Sequence, residues 1–244
     1  MQNDKLLEVR DLRTSFFTMY GEVQAVRNVS FDVNRKEIVG IVGESGSGKS
    51  VTVLSIVQLL QEPGKIVSGS INFEGEDLLK KNSREMRKIR NNRIAMVFQD
   101  PMTSLNPTLT VGLQIAERLR AFNRQIGKKE ARAQAVELLN MVKIPEPEKR
   151  LMSYPFELSG GMRQRVMFAI AIACKPRLLI ADEPTTALDV TIQNQVLHLI
   201  KNLKDEIDSS VILVTHDLGV VAETCQRVVV MYGGMIMEEG MVEE

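Results

Sequence analysis

The rhythm of apolar and polar positions changes twice along this chain. Leu7–Phe17 and Ala25–Val33 partly alternate, with a turn near Tyr20-Gly21 between them, which predicts two β-strands. Glu37–Val42 predicts a short apolar strand, and Ser68–Phe73 predicts another after the Glu62-Pro63-Gly64 break. Arg93–Gln99 ("RIAMVFQ") is also strand-like. The spacing then turns helical. Val111–Phe122 and Lys128–Val142 repeat their apolar residues at helix period and are rich in Ala, Glu, Leu, Arg and Gln. A joint, "IPEPEK" (Ile144–Lys149), follows. Beyond it the pattern predicts helix Gly161–Lys175, strand Leu178–Ala181, helix Val190–Ile207 and strand Val211–Thr215. Helix Leu218–Cys225, strand Arg227–Met231 and, after Gly233-Gly234, strand Met235–Glu239 complete it.

Short, wholly apolar strands alternating with helices predict an α/β fold with a parallel sheet covered on both faces. The leading strands form an antiparallel β subdomain, and the helical middle is an α-helical subdomain inserted between sheet strands. No flexible linker separates the parts. The expected organisation is one domain over residues 1–244, with core and β subdomain in 1–100 and 160–244 and the helical insertion in 101–159.

Composition narrows the function classes. Apolar residues make up 44% and charged residues 25%, a globular balance. Lys+Arg and Asp+Glu number 31 each, so the basic excess of a nucleic-acid binder is missing and no nucleic-acid partner is expected. Cys174 and Cys225 make no disulfide framework, which fits a reducing compartment. The opening MQNDKLLEVR lacks the apolar core of a signal peptide. The longest apolar run, Val166–Cys174, is far short of the ~20 residues of a spanning helix. The scattered methionines read as gap fillers or contact surface. The basic stretch Ser83–Arg93 is expected to be a solvated face, and His198 a surface or packing residue.

Candidate chemistry concentrates in "GESGSGKS". Gly43, Glu44, Ser45, Gly46, Ser47, Gly48, Lys49 and Ser50 fit G-x-x-x-x-G-K-[ST], with an apolar strand before and a helix beginning near Lys49. Such a loop curls so that successive N–H groups point inward toward phosphate oxygens, and glycine allows the backbone angles this needs. Lys49 then reaches the β- and γ-phosphates, and the Ser50 hydroxyl ligates Mg²⁺. The P-loop NTPase core is thus the expected α/β fold, with Val51 in the following turn completing the ATP-binding set. "LLIADEP" (Leu178–Pro184) is an apolar strand ending in two acids. Ligands of open α/β sheets lie beyond the carboxyl ends of strands. Asp182 is expected to hold Mg²⁺, and Glu183 to polarise the attacking water.

With "LSGGMRQR" (Leu158–Arg165) the chain resembles the ATP-binding-cassette (ABC) ATPases, whose signature sequence this is. The resemblance covers nearly the whole chain, in motif order. Gln99 matches the family's Q-loop, "TALD" (Thr186–Asp189) its D-loop, and "VILVTHD" (Val211–Asp217) puts His216 at the switch histidine. It implies that ATP and Mg²⁺ are bound, that Glu183, His216 and Gln99 serve hydrolysis, and that Ser50, Gln99 and Asp182 hold the metal. It implies a head-to-tail dimer in which Ser159, Gly160, Gly161 and Gln164 of one subunit complete the site held on the other, and it makes Asp189 the D-loop aspartate. It also implies an aromatic ring stacked on adenine, for which Phe16, Phe17 and Tyr20 compete.

The setting follows from what accompanies the cassette. One cassette, no membrane span and only a compact helical segment between Gln99 and Ser159 resemble the ATPase subunit of an importer. The wording "FQDPMTSLNPTLTVG" and "ADEPTTALDVTIQ" is similar to the D-type subunits of oligopeptide, dipeptide and nickel importers. This implies a second ATPase of non-identical sequence, two membrane-spanning permease subunits, an extracytoplasmic solute-binding protein acting indirectly, and a peripheral seat on the cytoplasmic face of the membrane. Met162, where the partner ATPase typically has glutamine, agrees with a heterodimer. Members of this group usually run on into a tail that can hold an iron–sulfur cluster; the present residues predict none. The alternative is a soluble, non-transport cassette acting as a nucleotide-gated scaffold in DNA repair.

Overall fold

A computed structural model describes residues 4–100, 104–186 and 188–242. Pro101–Thr103, in the stretch after Gln99, and Ala187 of the D-loop stretch lie outside the described residues. The chain forms two compact units, Met1–Arg90 with Ser210–Glu244, and Asn91–Ser209.

The first unit opens with β1 (Lys5–Thr18) and β2 (Gly21–Asn34), paired antiparallel from Lys5↔Asn34 to Thr18↔Gly21. Next come β3 (Ile38–Val42), α1 (Lys49–Ile56), β4 (Gly64–Phe73) and β5 (Glu76–Asp77). One sheet runs β2-β1-β4-β5. Two cross-strand rows, Val33–Leu7–Phe73 and Phe31–Val9–Ile71, form its buried face, each member at most 3% exposed. The Thr14 and Ser55 hydroxyls share a buried hydrogen bond of 2.8 Å, which ties β1 to α1.

The chain continues into α2 (Ser83–Asn92). Here the expectation of a solvated face needs correction. Met86 and Ile89, three residues apart, are buried, while Arg84, Glu85, Arg87 and Lys88 face water. Asn82 starts this helix: its Oδ1 accepts from the Arg84 and Glu85 amides at 3.0 Å, and Glu85 Oε2 accepts from the Asn82 amide at 2.9 Å.

The second unit is built on β6 (Ile94–Val97). It continues through α3 (Val111–Phe122), α4 (Lys128–Met141), α5 (Pro147–Arg150) and α6 (Gly160–Ile172) before β7 (Leu178–Asp182) and α7 (Val190–Ile207). β6 and β7 pair in parallel, Ile94↔Leu178 through Val97↔Ala181. The helical middle is therefore inserted between two neighbouring strands. Its core takes Ile115 and Leu119 from α3, Ala135 and Leu139 from α4, and the run Val166–Ala169 of α6.

The chain returns to the first unit as β8 (Ser210–Thr215), α8 (Leu218–Thr224), β9 (Arg227–Tyr232) and β10 (Met235–Met241). β3 lies between β8 and β9 and is parallel to both, while β10 runs antiparallel to β9. β3 and β8 are buried along their whole length, as the apolar runs Ile38–Val42 and Val211–Val214 imply; Ser210 and Thr215 at the ends of β8 are buried with them.

Candidate functional site

The phosphate-loop sequence sits where β3 runs out. Gly43–Gly48 link the last buried strand residue, Val42, to α1. Gly48 is the N-cap at φ +97°, and a Cβ there would lie 2.4 Å from the Ala25 carbonyl oxygen. At Gly43 a Cβ would lie 2.1 Å from the Met231 carbonyl oxygen. Backbone crowds these two positions so closely that only glycine fits. The loop is pinned from outside: the Gly234 amide donates to the Ser47 carbonyl at 3.0 Å, and the Arg27 amide to the Gly234 carbonyl at 2.7 Å.

No side chain caps α1, and its first turn holds no acid. Its leading amides and the positive end of its dipole are therefore suited to an anion. Lys49 is 4% exposed, and its ammonium donates to the Gly43 and Glu44 carbonyls at 2.7 and 2.8 Å. A cation is thus held against the carbonyls of the loop that precedes it. Ser45 and Gly46 are exposed at the tip, Ser47 is buried, and Ser50 and Val51 are half-buried. Amides, a lysine and no nearby loop carboxylate beyond the exposed Glu44 make a set that fits a polyphosphate.

The second unit carries the acids. Because Val97 pairs with Ala181, the residues two beyond each, Gln99 and Glu183, come out side by side. Gln99 Nε2 donates to Glu183 Oε2 at 3.0 Å, and the Thr186 hydroxyl donates to the same oxygen at 2.9 Å. Glu183 sits at φ +46°, an uncommon backbone for a residue with a side chain. Asp182 ends β7 and is 7% exposed. The expected metal donors, the Ser50 hydroxyl, the Asp182 carboxylate and the Gln99 amide oxygen, are all hard oxygens, which suits Mg²⁺. Thr186 was not singled out from the sequence as a partner of Glu183. The signal was a hydroxyl three residues beyond the acid, across a proline turn.

The signature stretch begins α6. Ser159 is its N-cap, and its hydroxyl accepts from the Met162 amide at 3.3 Å. Ser159 is exposed and Gly160 half-buried, whereas Gly161 is buried against Ile192 of α7. Gln164 needs correcting. Expected in the contact across subunits, it is 1% exposed and lies inside its own unit. Its position one helical turn on from Gly160-Gly161 turns it inward, between the buried Gly161 and Met167. Asp189 is exposed and caps α7, accepting from the Ile192 amide at 3.0 Å.

The remaining candidates lie in the first unit. His216 is exposed just past β8, and the neighbouring Asp217 caps α8 through the Gly219 and Val220 amides. Tyr20 is 94% exposed at the β1–β2 turn, and Phe16 is half-buried against Gly64. His198 lies on the exposed side of α7, a surface residue as expected. Gln99, Asp182, Glu183 and the signature thus share one unit, and the phosphate loop, Phe16, Tyr20 and His216 the other.

Known proteins agree with this inventory. The family model described as "ABC transporter" matches residues 26–186. A probable peptide ABC transporter ATP-binding protein, y4tR of Sinorhizobium fredii, is 56% identical over 99% of this chain and 72% of its own length. The oligopeptide transport ATP-binding protein OppD of Bacillus subtilis is 56% identical over 98% of this chain and 67% of its own. Among solved structures, the ATP-binding cassette MJ0796, captured as a dimer in a post-hydrolysis state with ADP and Pi, superposes with a TM-score of 0.87. It is 30% identical over 97% of this chain and 98% of that one. A family match over most of the chain, joined to a phosphate loop, a paired Gln99–Glu183 and a serine-capped signature helix, places this chain in the ABC transporter family of ATP-binding proteins.

Proposed function

We propose that this chain is the ATP-binding and ATP-hydrolysing subunit of a binding-protein-dependent ABC importer for peptides. The observation that carries the reading is the likeness, over nearly the whole chain, to ATP-binding subunits named for peptide and oligopeptide transport. The DNA-repair alternative has no such support, since these relatives are named for transport. In this reading the subunit sits peripherally on the cytoplasmic face against two permease subunits. It pairs with a second, non-identical ATPase, and the solute-binding protein acts from the far side.

The chain's residues divide the work. The loop amides from Gly43 to Ser50 and the Lys49 ammonium bind the phosphates, with Val51 at the start of the helix behind them. Ser50, Asp182 and Gln99 hold Mg²⁺, which supplies charge neutralisation on the phosphates when bound. Glu183 orients a water and takes its proton. The water oxygen bonds the γ-phosphorus as the bond to the β–γ bridging oxygen breaks, and that electron pair leaves with ADP. His216 contacts the γ-phosphate, and Phe16 or Tyr20 stacks on adenine. Ser159, Gly160 and Gly161, with Asp189, act across the dimer. Most of the acceleration comes from positioning and charge stabilisation.

The test is isolation of the tagged chain from detergent-solubilised membranes. Two membrane proteins and a second ATPase should accompany it, and peptide-loaded binding protein should stimulate hydrolysis. Glu183→Gln should keep nucleotide bound while turnover falls roughly 100-fold or more. Turnover stimulated by DNA, or isolation without membrane proteins, would overturn the reading.

A further inference from the structure

Glu183 is held in an unusual way. A residue before proline prefers extended backbone, yet Glu183 precedes Pro184 at φ +46°. A left-handed conformation at a non-glycine residue costs on the order of 1–2 kcal/mol and persists where its surroundings over-determine it. Thr186 supplies much of that determination. Its amide donates to the Glu183 carbonyl at 3.3 Å, and its hydroxyl donates to Glu183 Oε2 at 2.9 Å. One threonine therefore grips both the main chain and the side chain of the acid. Gln99 Nε2 adds a second donor to the same oxygen from the end of the neighbouring strand.

We infer that Thr186 is a positioning residue for hydrolysis, whose hydroxyl, with the Gln99 amide, fixes Glu183 Oε2 and with it the direction of the carboxylate. The inference rests on the reading of Glu183 as the group that handles the water proton. Gln99 serves the metal through its amide oxygen in that reading, which leaves its Nε2 on Glu183 Oε2. Thr186 is three residues from Glu183 in one turn, so its two bonds need no register between strands. A carboxylate carries two equivalent oxygens on a side chain with three torsions. Fixing one oxygen sets the plane and direction of the other, and removes the rotamer search from the reactive encounter.

The role separates from mere support of the turn, because only the hydroxyl is needed for it. The experiment measures kcat and KM for ATP in the complex isolated with its accompanying subunits. The variants are Thr186→Val, Thr186→Ala, Thr186→Ser and Glu183→Gln. Thr186→Val keeps the side-chain shape without the hydroxyl, and Thr186→Ala guards against misfolding from the methyl that valine puts in the hydroxyl's place. Both should lower kcat by roughly 10- to 100-fold, with KM changed by less than about threefold. Thr186→Ser should restore kcat to within about threefold of the unaltered chain. In the Glu183→Gln background, Thr186→Val should produce no further loss, because the two residues act as one unit. Unaltered kcat in Thr186→Val or Thr186→Ala, or a serine variant as slow as the valine one, would overturn the inference while Glu183→Gln stays inactive. Full activity in Glu183→Gln would instead remove the reading of Glu183 beneath it.

Discussion

Ile192 Cγ2 lies 2.7 Å from where a Cβ on Gly161 would be. The signature helix and the helix after the D-loop thus meet backbone to side chain within one unit. Ile192 is β-branched, and in a helix its Cγ2 has little freedom to swing away. Gly161→Ala should therefore overpack the contact and cost about 1–3 kcal/mol. Thermal unfolding of the single variants and of Gly161→Ala with Ile192→Ala gives the coupling. The double variant should recover most of the loss, and additive losses would show that the two helices do not touch there.

The phosphate loop offers a paired comparison of two glycines. Gly48 has φ +97° and a backbone oxygen 2.4 Å from its would-be Cβ, whereas Gly46 has φ +80° and nothing within 4 Å. Gly46→Ala should cost only the backbone term, about 1–2 kcal/mol. Gly48→Ala should cost more, because the loop must also part from β2. Melting of the nucleotide-free chain measures both. Equal shifts would mean that the Ala25 carbonyl yields without resistance.

Much of this architecture was legible in the chain, for reasons that can be traced to residues. β3 and β8 are buried on both faces, so their runs Ile38–Val42 and Val211–Val214 carry no polar side chain and declare themselves. The outer half of the β1–β2 hairpin was harder to read. Glu22, Val23 and Gln24 are all exposed, so no inward row marks the strand, and pairing continues to Thr18↔Gly21, where the Thr18 hydroxyl donates to the Gly21 carbonyl at 3.0 Å. α2 hid behind its charges. Two apolar residues three apart are too few for a period, and the readable sign was the Asn82–Glu85 capping box. The site divides the same way. The phosphate loop is a local motif, while the Gln99–Glu183 bond depends on the parallel register of β6 and β7, set by residues some 80 positions apart. Gln164 shares the inward face of α6 with Gly161 and Met167, three residues to either side, and the motif alone does not reveal which face is buried.

Arg227 anchors the start of β9. Its Nε and Nη2 donate to the two oxygens of Glu37 at 2.8 and 2.9 Å, Nη2 also donates to the Asp32 carbonyl at 2.6 Å, and Nη1 pairs with Glu239. Glu37 Oε2 accepts in turn from the Asn34 amide at 2.7 Å. Both partners are nearly buried, at 13% and 10% side-chain exposure. The Glu37 hydrogen bond, against the opposing effect of burial, raises the guanidinium above its already high pKa, so it stays charged at every working pH. Lysine cannot reproduce the planar fork. Arg227→Lys should cost about 2 kcal/mol, and Arg227→Ala about 3–5 kcal/mol by leaving Glu37 uncompensated. Urea midpoints check the order; a lysine variant as stable as the parent would mean that charge alone suffices.

Cys174 gives a pH dependence with a definite sign. The thiol is 4% exposed beside α3, with its Sγ 3.9 Å from the Arg118 carbonyl oxygen. Burial pushes its pKa up, more strongly than the Arg118 guanidinium draws it down. In the unfolded chain the thiol titrates near its ordinary value, about 8.5. Above that pH the unfolded state has lost a proton that the folded state keeps, so stability falls as pH rises toward the folded pKa. Below it both states are protonated and the group has no effect. Urea midpoints at about pH 7 and about pH 9.5, for the parent and Cys174→Ala, isolate this contribution, since every other group cancels between them. The parent should lose more stability than the variant over that interval. The same burial should make Cys174 slow to alkylate until denaturant opens the helices. Equal pH slopes in the two proteins, with rapid native alkylation at Cys174, would show that the thiol is open to water and ionises freely.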